Sequence, residues 1–234
     1  MPNETSDLGP LLETMSDLAR GVAETPGVET TLAGVTAACL ELVPGTSDAA
    51  ILIVNGPENY GSMAPTSERA RNLDGLQHKY HQGPCWDAAT SDLAVRSDDL
   101  EKETRWPAFA PAAVALGAHS MLSFRLFTHD DRMAALNLFS DTAGAFTDES
   151  DTVGGMLATH AAIALISNDR HLQFRSALAS RDIIGQAKGM IMERFDVDAV
   201  RAFELLSRLS SDSNTRLADV AEQIVSKGSA RRSS

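Results

Sequence analysis

Cysteines and long apolar runs are both scarce in this chain of 234 residues. Cys39 and Cys85 are the only cysteines, and they are too few and too far apart for a disulfide framework. No apolar run approaches the roughly 18 residues that a membrane-spanning helix needs. The first residues are acidic and polar, without the basic start and apolar stretch of a secretion signal. The sequence therefore predicts a cytoplasmic protein without a membrane segment.

Motifs for catalysis or metal binding are also lacking. The chain has no glycine-rich phosphate loop, no Gly-x-Ser-x-Gly elbow and no paired-ligand metal motif. His78, His81 and Cys85 lie near one another in the sequence, but no further ligand accompanies them. The acidic segments Thr128–Arg132 and Thr147–Asp151 lack the spacing of a calcium loop. We expect no catalytic residue, no metal and no cofactor.

Negative charge predominates, but it is unevenly distributed. The formal net charge is −12. Residues 170–234 contain 11 Lys or Arg and 8 Asp or Glu, a net charge of +3, whereas residues 1–169 contain 9 and 24, a net charge of −15. An acidic body with a mildly basic C-terminal region indicates two modules with different partners. The basic bias permits a polyanionic partner for the second module without requiring one.

Apolar residues recur at helical spacing in some segments and alternate in others, which predicts helices and strands respectively. The predicted helices of the first two thirds are 5–24, Val28–Val43, Ser67–Tyr80, a short one within Gly83–Thr90, and Arg105–Ala118. The predicted strands are Ala49–Gly56, a partner near Ser62–Ala64, Leu93–Leu100, Met121–Phe127 and Met133–Phe139, the last two joined by a turn at His129–Arg132.

A single long helix is predicted to follow. Thr147 is a suitable N-cap, and no strong helix breaker occurs from there to about Phe195. Its heptad pattern makes a coiled-coil dimer plausible. Two more helices are predicted at Asp198–Leu209 and Thr215–Val225. The predicted organisation is an N-terminal helix (1–27), a sensor-sized domain (28–168), a helical linker (169–176), a three-helix domain (177–228) and a disordered tail (229–234).

The segments GPCWDAA (Gly83–Ala89), Asp98–Leu126 and AALNLFSDTAGAFTDE (Ala134–Glu149) occur in the order that is typical of one family. On these residues the first domain resembles a GAF domain of the actinobacterial type. The resemblance implies an α+β fold, an antiparallel sheet with flanking helices. It also implies a ligand pocket on the sheet face opposite the terminal helices. GAF ligands vary widely, so the resemblance implies a small-molecule ligand without identifying it.

The C-terminal segment Ala177–Val225 resembles an ANTAR domain without an evident gap. The carrying motifs are QAKG followed by Met190, the pair Ala202-Phe203, and SNTRLADVA (Ser213–Ala221). The resemblance implies an all-α three-helix domain after the long connecting helix. A GAF domain joined to an ANTAR domain implies a dimeric RNA-binding antitermination regulator, which stabilises a two-hairpin RNA so that a terminator cannot form.

The ANTAR resemblance implies a set of RNA-binding residues. Lys188 can place its ammonium group against phosphate or a base edge, beside a glycine that costs a helix about 1 kcal/mol relative to alanine. Gly189 therefore indicates a close approach, either of a neighbouring helix or of an RNA loop. Alternatively, Lys188 is simply solvated, and Asn214-Thr215 caps the last helix. The candidates for RNA binding are Arg181, Gln186, Lys188, Gly189, Arg194, Arg208, Asn214, Thr215 and Arg216.

Cys85 and Trp86 are candidates for a ligand pocket or a redox site. Cys85 follows Gly-Pro at the start of a helix, where a thiol can have a lowered pKa. The alternative is a small buried apolar side chain, and the same interpretation applies to Cys39.

The sequence thus predicts a signal-responsive RNA-binding regulator without enzymatic activity, with RNA as partner and a homodimer as assembly. Two other interpretations remain. In one, the helical C-terminus of a dimeric GAF signalling protein is a protein-interaction module. In the other, the protein is a redox sensor centred on Cys85.

Overall fold

The structure is a computed structural model that describes residues 27–56, 58–90, 92–129 and 132–232, together with the isolated positions Gly9 and Ser16. Within the helices, the side chains at 171–173, 175, 176 and 228–232 are outside this description. Apart from the two isolated positions, the helix predicted at 5–24 lies outside the described residues. The chain divides into two compact units, Met1–Ser167 and Asn168–Ser234, next to the predicted domain end at residue 168.

A five-stranded antiparallel sheet is the centre of the first unit. Its strands are β1 (Asp48–Asn55), β2 (Tyr60–Met63), β3 (Ala94–Ser97), β4 (Ser120–His129) and β5 (Arg132–Ser140), in the spatial order β2-β1-β5-β4-β3. The antiparallel sheet and the four longer predicted strand positions are confirmed. Because β1 and β5 are central and covered on both faces, they are almost continuously apolar.

Helices cover both faces of this sheet. On one face, α1 (Val28–Leu42) and the start of α5 (Asp148–Phe195) enclose a core with Ile51, Leu136 and Leu138. On the other face lie α2 (Glu68–Tyr80), α3 (Pro84–Thr90) and α4 (Phe109–Ala115). Gly154 in α5 allows the ring of Phe124 to come close, because an added Cβ would lie 2.5 Å from that ring.

Local signals explain where the helices begin. The Ser67 side chain accepts a hydrogen bond from the Ala70 amide at 3.0 Å, so Ser67 is the N-cap of α2 at the start of the predicted helix. At the start of α5 the hydrogen bond runs the other way: the Thr147 amide donates to Ser150 Oγ at 3.1 Å. The position of the predicted boundary at Thr147 is confirmed, since α5 begins at Asp148.

Two elements of the first unit are shorter than predicted. The strand predicted at Leu93–Leu100 is confined to Ala94–Ser97, because Asp99 turns the chain by accepting from the Glu101 amide at 3.0 Å. The helix predicted at Arg105–Ala118 begins only at Phe109. Its first residues are held in a turn, in which Arg105 donates from its amide and its guanidinium to Glu103.

In the second unit, the end of α5 packs with α6 (Ala199–Ser213) and α7 (Leu217–Arg232). The predicted long helix is confirmed, since α5 contains 48 residues without a break. The Asp198 side chain accepts from the Arg201 amide and caps α6. The last helix continues to Arg232, so the segment 229–234 that we expected to be disordered is helical through 232. In the described part of the chain, no helix has the length and apolarity to cross a membrane.

Candidate functional site

The core of the second unit is small and depends on short side chains. Ala187 from α5, Ala202 from α6 and Ala221 from α7 are completely buried, and Leu206 and Ile191 supply the bulk. Small residues at these positions bring three helix backbones close together.

Gly189 is not part of this core. It is exposed, and an added Cβ would have no described atom of another helix or side chain within 4 Å. Gly185, one turn earlier, is exposed and equally open. Of the two alternatives for Gly189, a neighbouring helix or an RNA loop, the close approach of a neighbouring helix is therefore wrong. The reason is geometric, since residue 189 is two positions from the buried Ala187 and so points to the opposite side of the helix.

Of the other α5 candidates, some lie beside this open surface and Arg194 does not. Lys188 is half-buried at the edge of the core, while Arg181, Gln186 and Arg194 are exposed. Arg181 and Lys188 are seven residues apart and share one side of the helix. Arg194 is in the last turn and lies on a different side. Arg208 is exposed on α6. The sequence pattern thus brings Arg181 and Lys188 together but does not place all candidates on a single face.

The connection between α6 and α7 holds the remaining candidates. Asn214 has a left-handed backbone (φ 47°) and ends α6, with its amide donating to the carbonyls of Ser210 and Ser211. Ser210 Oγ donates to the Thr215 carbonyl at 2.6 Å. The interpretation that Asn214-Thr215 caps the last helix is therefore wrong, because both residues close the preceding one. The exposed Arg216 precedes α7, and its carbonyl accepts from the Val220 amide.

Arg201 has a structural partner. Its guanidinium donates to Glu204, one turn along α6, at 2.8 Å. Sequence reasoning missed several large apolar side chains that are exposed in this unit. They include Phe174 (63% exposed), Leu178, Phe195 (61% exposed), Val200, Phe203 and Leu209. For those on α6, the sequence indicates this exposure, because the apolar residues of α6 cover more than the single helical stripe that a core-facing side needs.

Cys85 and Trp86 meet at one residue of the first unit, Gln77. The Cys85 amide donates to Gln77 Oε1 at 3.1 Å, and Trp86 Nε1 donates to the Gln77 carbonyl at 2.8 Å. All three lie on the sheet face that carries α2, α3 and α4, where the resemblance places the ligand side. Burial raises the pKa of the Cys85 thiol well above its ordinary value, and the carboxylates of Asp74 and Asp87 raise it further. The interpretation that the helix start lowers the pKa of Cys85 is therefore wrong.

Cys85 is expected to be inert in the folded protein. A completely buried thiol with a raised pKa contains very little thiolate at pH 7. Iodoacetamide should therefore modify it at least about 100-fold more slowly than a free thiol. Cys39 is the internal comparison, because burial raises the pKa of its thiol to about 12. Both cysteines should react at the normal rate once the protein is unfolded in guanidinium chloride. Rapid labelling of Cys85 in the folded protein would support the redox-sensor interpretation instead.

The two histidines considered as metal ligands form part of an aromatic row. The rings of His78 and His81 are edge to face at 5.6 Å, with Tyr60 stacked on His78 and Trp86 against His81. The Cys85 thiol is completely buried, and the backbone amide of Cys85 donates to Gln77 Oε1. Across the described residues, no group of three or more His, Cys, Asp or Glu side chains is arranged to hold a metal ion.

A buried polar cluster on the same sheet face was not foreseen. Asp74 Oδ1 accepts from Asn137 Nδ2 at 2.8 Å, and Asp74 Oδ2 accepts from Ser62 Oγ at 2.6 Å. Ser123 Oγ donates to Asn137 Oδ1 at 2.6 Å. Gln77 lies one turn along α2, and its Nε2 has no hydrogen-bond partner among the described atoms. In the sequence, such a cluster is indicated by polar residues within otherwise apolar segments, such as Asn137 in AALNLF.

Together, the fold and these sites define a sensor-type α+β domain followed by a small helical domain with an exposed polar surface. The GAF domain family matches residues 25–166, more than half of the chain, and the chain belongs to this family. The ANTAR domain family matches residues 172–225. The chain therefore joins a GAF sensor domain to an ANTAR domain, which is an RNA-binding antitermination domain; both types are typically non-enzymatic.

Solved structures with the same fold cover most of the first unit. The GAF domain of a phosphoenolpyruvate-protein phosphotransferase from Coxiella burnetii has 15% identity and a TM-score of 0.53, covering 74% of this chain and 99% of that one. The LuxR family transcription factor CepR2 from Burkholderia cenocepacia has 17% identity and a TM-score of 0.54, covering 68% and 98%.

The free methionine-R-sulfoxide reductase from Neisseria meningitidis has 14% identity and a TM-score of 0.51, covering 69% of this chain and 91% of that one. At such identities the likeness establishes the fold alone. A search of curated proteins finds no match for the chain.

Proposed function

We propose that this protein is a cytoplasmic, signal-responsive regulator that promotes transcription antitermination by stabilising a two-hairpin RNA. The GAF domain senses the signal, a small-molecule ligand on the side of Cys85 and Trp86, and the ANTAR domain binds the RNA. The observation that carries the proposal is the open surface at Gly189, an exposed helical glycine with no described neighbour.

A bare helix backbone beside basic side chains suits an RNA loop. Without a Cβ, Gly189 lets a looped-out base or a sugar approach the helix directly, and such unpaired bases are what proteins usually read in RNA. Lys188 is half-buried and next to Gly189 in the chain, so its ammonium group would be within reach of this surface, and the exposed Arg181 and Gln186 would add donors. Helical glycine is costly, so a glycine that packs against nothing supports a role in contact with a partner.

The remaining contacts would come from the basic ends of the domain. Arg194 lies in the last turn of α5, Arg208 on α6, and Asn214, Thr215 and Arg216 in the connection to α7. Because the backbone groups of Asn214 and Thr215 are used within the α6–α7 connection, they would contribute to RNA mainly through Asn214's exposed side chain. Phosphate contacts by these arginines would make binding strongly salt-dependent.

A two-hairpin target calls for two RNA-binding units, and we propose that a homodimer supplies them. In the first unit, α5 exposes Met156 (44%), Ile163 (52%) and Ile166 (40%). These positions follow one another at helical spacing on a face that the described part of the chain leaves uncovered. A second copy of the chain would bury this self-complementary apolar face, as two-fold dimers do.

Ile163→Asp is expected to dissociate this dimer without unfolding the monomer. The side chain is half exposed, so a carboxylate is tolerated in the monomer, whereas burial of an unpaired charge in an interface is strongly unfavourable. Analytical ultracentrifugation should show a dimer for the wild type and a dissociation constant raised at least about 100-fold for the variant. Asn72→Asp, at an exposed polar position of α2 and away from this face of α5, is the control. A wild-type monomer would contradict the dimer proposal.

Crosslinking of the protein to RNA in its host tests the function directly. We expect the recovered transcripts to share paired stem-loops that overlap a terminator, and the Gly189→Leu variant to recover none of them. If no transcript is enriched over a mock purification, the C-terminal unit is better explained as a protein-interaction module. Cys85→Ser should leave the recovered transcripts unchanged, because the proposal gives this completely buried thiol no redox role.

A further inference from the structure

The carboxyl of Asp74 is completely buried where α2 meets the sheet. Its two oxygens are bound by uncharged groups on different elements, Ser62 of β2 and Asn137 of β5. Asn137 is held in turn by Ser123 of β4. One carboxyl therefore connects α2 to three strands through a chain of short hydrogen bonds.

No described cation pairs directly with this carboxyl. On α2 itself, Arg71 acts on Asp74 only at a distance, because its side chain is half exposed and its Nε donates to Glu68 at 3.3 Å. On α3, the titratable groups nearby are the Cys85 thiol and the Asp87 carboxyl, neither of which is positive. The strand residues that bond to the carboxyl or to its partner are neutral: Ser62, Ser123 and Asn137. Arg125, two positions from Ser123 along β4, has no described hydrogen bond or ion pair to Asp74. His78, one turn along α2, stacks on Tyr60 of β2, and burial lowers its pKa, which favours its neutral form. A buried carboxylate without a cation strongly favours its protonated form.

We propose that the Asp74 carboxyl is a proton-binding site that makes the GAF domain responsive to pH, in which loss of the proton weakens the attachment of α2 to the sheet. In the protonated form, the acid proton on Oδ2 points to Ser62 Oγ, so this hydrogen bond reverses its direction while Asn137 continues to donate to Oδ1. In the charged form, two neutral donors must carry a full negative charge that is shielded from water. The response belongs to the GAF domain and does not depend on RNA being the output.

The direction of the effect on stability follows from the pKa. Burial raises the pKa of Asp74 from 3.8 to about 7, against the lowering effects of Ser62, Asn137 and Arg71. The folded protein thus binds a proton between about pH 4 and pH 7 that the unfolded chain has lost. The contribution of Asp74 to the free energy of unfolding is therefore fully present below about pH 4, and it is lost as the pH rises through 7.

Thermal unfolding of the full chain at pH 5 and pH 8 tests the proposal. Both tryptophans, Trp86 and Trp106, lie in the first unit, so their fluorescence reports on the GAF domain. Between these pH values the wild-type Tm should fall by about 5–10 °C more than that of Asp74→Asn, whose side chain stays neutral. Asp48→Asn is the matched control, since Asp48 is a buried carboxyl with a direct cation, Arg69 Nε at 2.6 Å. It should show the wild-type pH dependence.

Equal falls in Tm for the wild type and Asp74→Asn would overturn the proposal. If Asp74→Asn does not fold, infrared spectra of the wild type decide instead. A carboxylic-acid band that persists at about pH 6.5, where ordinary carboxyls are almost fully ionised, and is lost by pH 8 supports the proposal, and its absence at pH 6.5 refutes it. RNA binding enters neither measurement, so a failed antitermination proposal leaves this result unaffected.

Discussion

Gly189→Leu should abolish RNA binding and leave the protein folded. An added side chain at this position meets no described neighbour, and leucine is a better helix former than glycine by roughly 1 kcal/mol. The Tm of the variant should therefore equal or slightly exceed that of the wild type. In an RNA titration, the leucine side chain should block the loop from the helix backbone and raise the dissociation constant at least about 100-fold, or close to 3 kcal/mol.

Ala187→Leu is the matched opposite on the same helix, two residues away. Ala187 is completely buried between Ile191, Ala202 and Leu206, so three extra carbon atoms have no space. Overpacking typically costs about 1–3 kcal/mol, a large share of the stability of so small a core. Circular dichroism should show loss of helix in this variant but not in Gly189→Leu. Unfolding by Gly189→Leu, or full RNA affinity in a folded Gly189→Leu, would contradict the open-surface account.

Lys188→Glu should be the most damaging charge change. It removes a phosphate or base contact and places a carboxylate against the RNA, which we expect to raise the dissociation constant about 10- to 100-fold. Lys188→Ala should weaken binding less and lower the slope of log affinity against log salt by about 1. Both variants should keep the wild-type Tm, because the ammonium group of Lys188 has no described ion-pair partner.

Lys227→Glu is the control for net charge. It makes the same charge change at an exposed position of α7 that is outside the proposed contact set. If Lys227→Glu weakens binding as much as Lys188→Glu does, the RNA responds to the overall charge of the domain and not to a specific surface.

The sequence predicted most of the fold because its signals are local. The alternation in Met121–Phe127 and Met133–Phe139, the cap at Ser67 and the breaker-free segment after Thr147 each specify their own element. The short strand Ala94–Ser97 was overestimated because the turn at Asp99 depends on side-chain hydrogen bonds that alternation does not reveal.

The site was less predictable because it depends on which way each helix faces. The orientation of Gly189 could have been predicted, because a residue two positions from the core-facing Ala187 lies on the opposite side of the helix. The Asp74 cluster was not, because Ser62 and Asn137 are 12 and 63 residues away in the chain. Its hydrogen bonds exist only once the sheet has formed. The raised pKa of Cys85 likewise comes from tertiary burial, which overrides the effect of the helix start.

A mobility-shift titration with RNA that contains two adjacent hairpins, and with each hairpin alone, tests the central claim most directly. We predict that the two-hairpin RNA binds at least about 100-fold more tightly than either single hairpin, because two linked sites engage one dimer. Binding should weaken steeply with salt and be lost in Gly189→Leu. Equal affinity for one and two hairpins, or no salt-sensitive binding at all, would contradict the account.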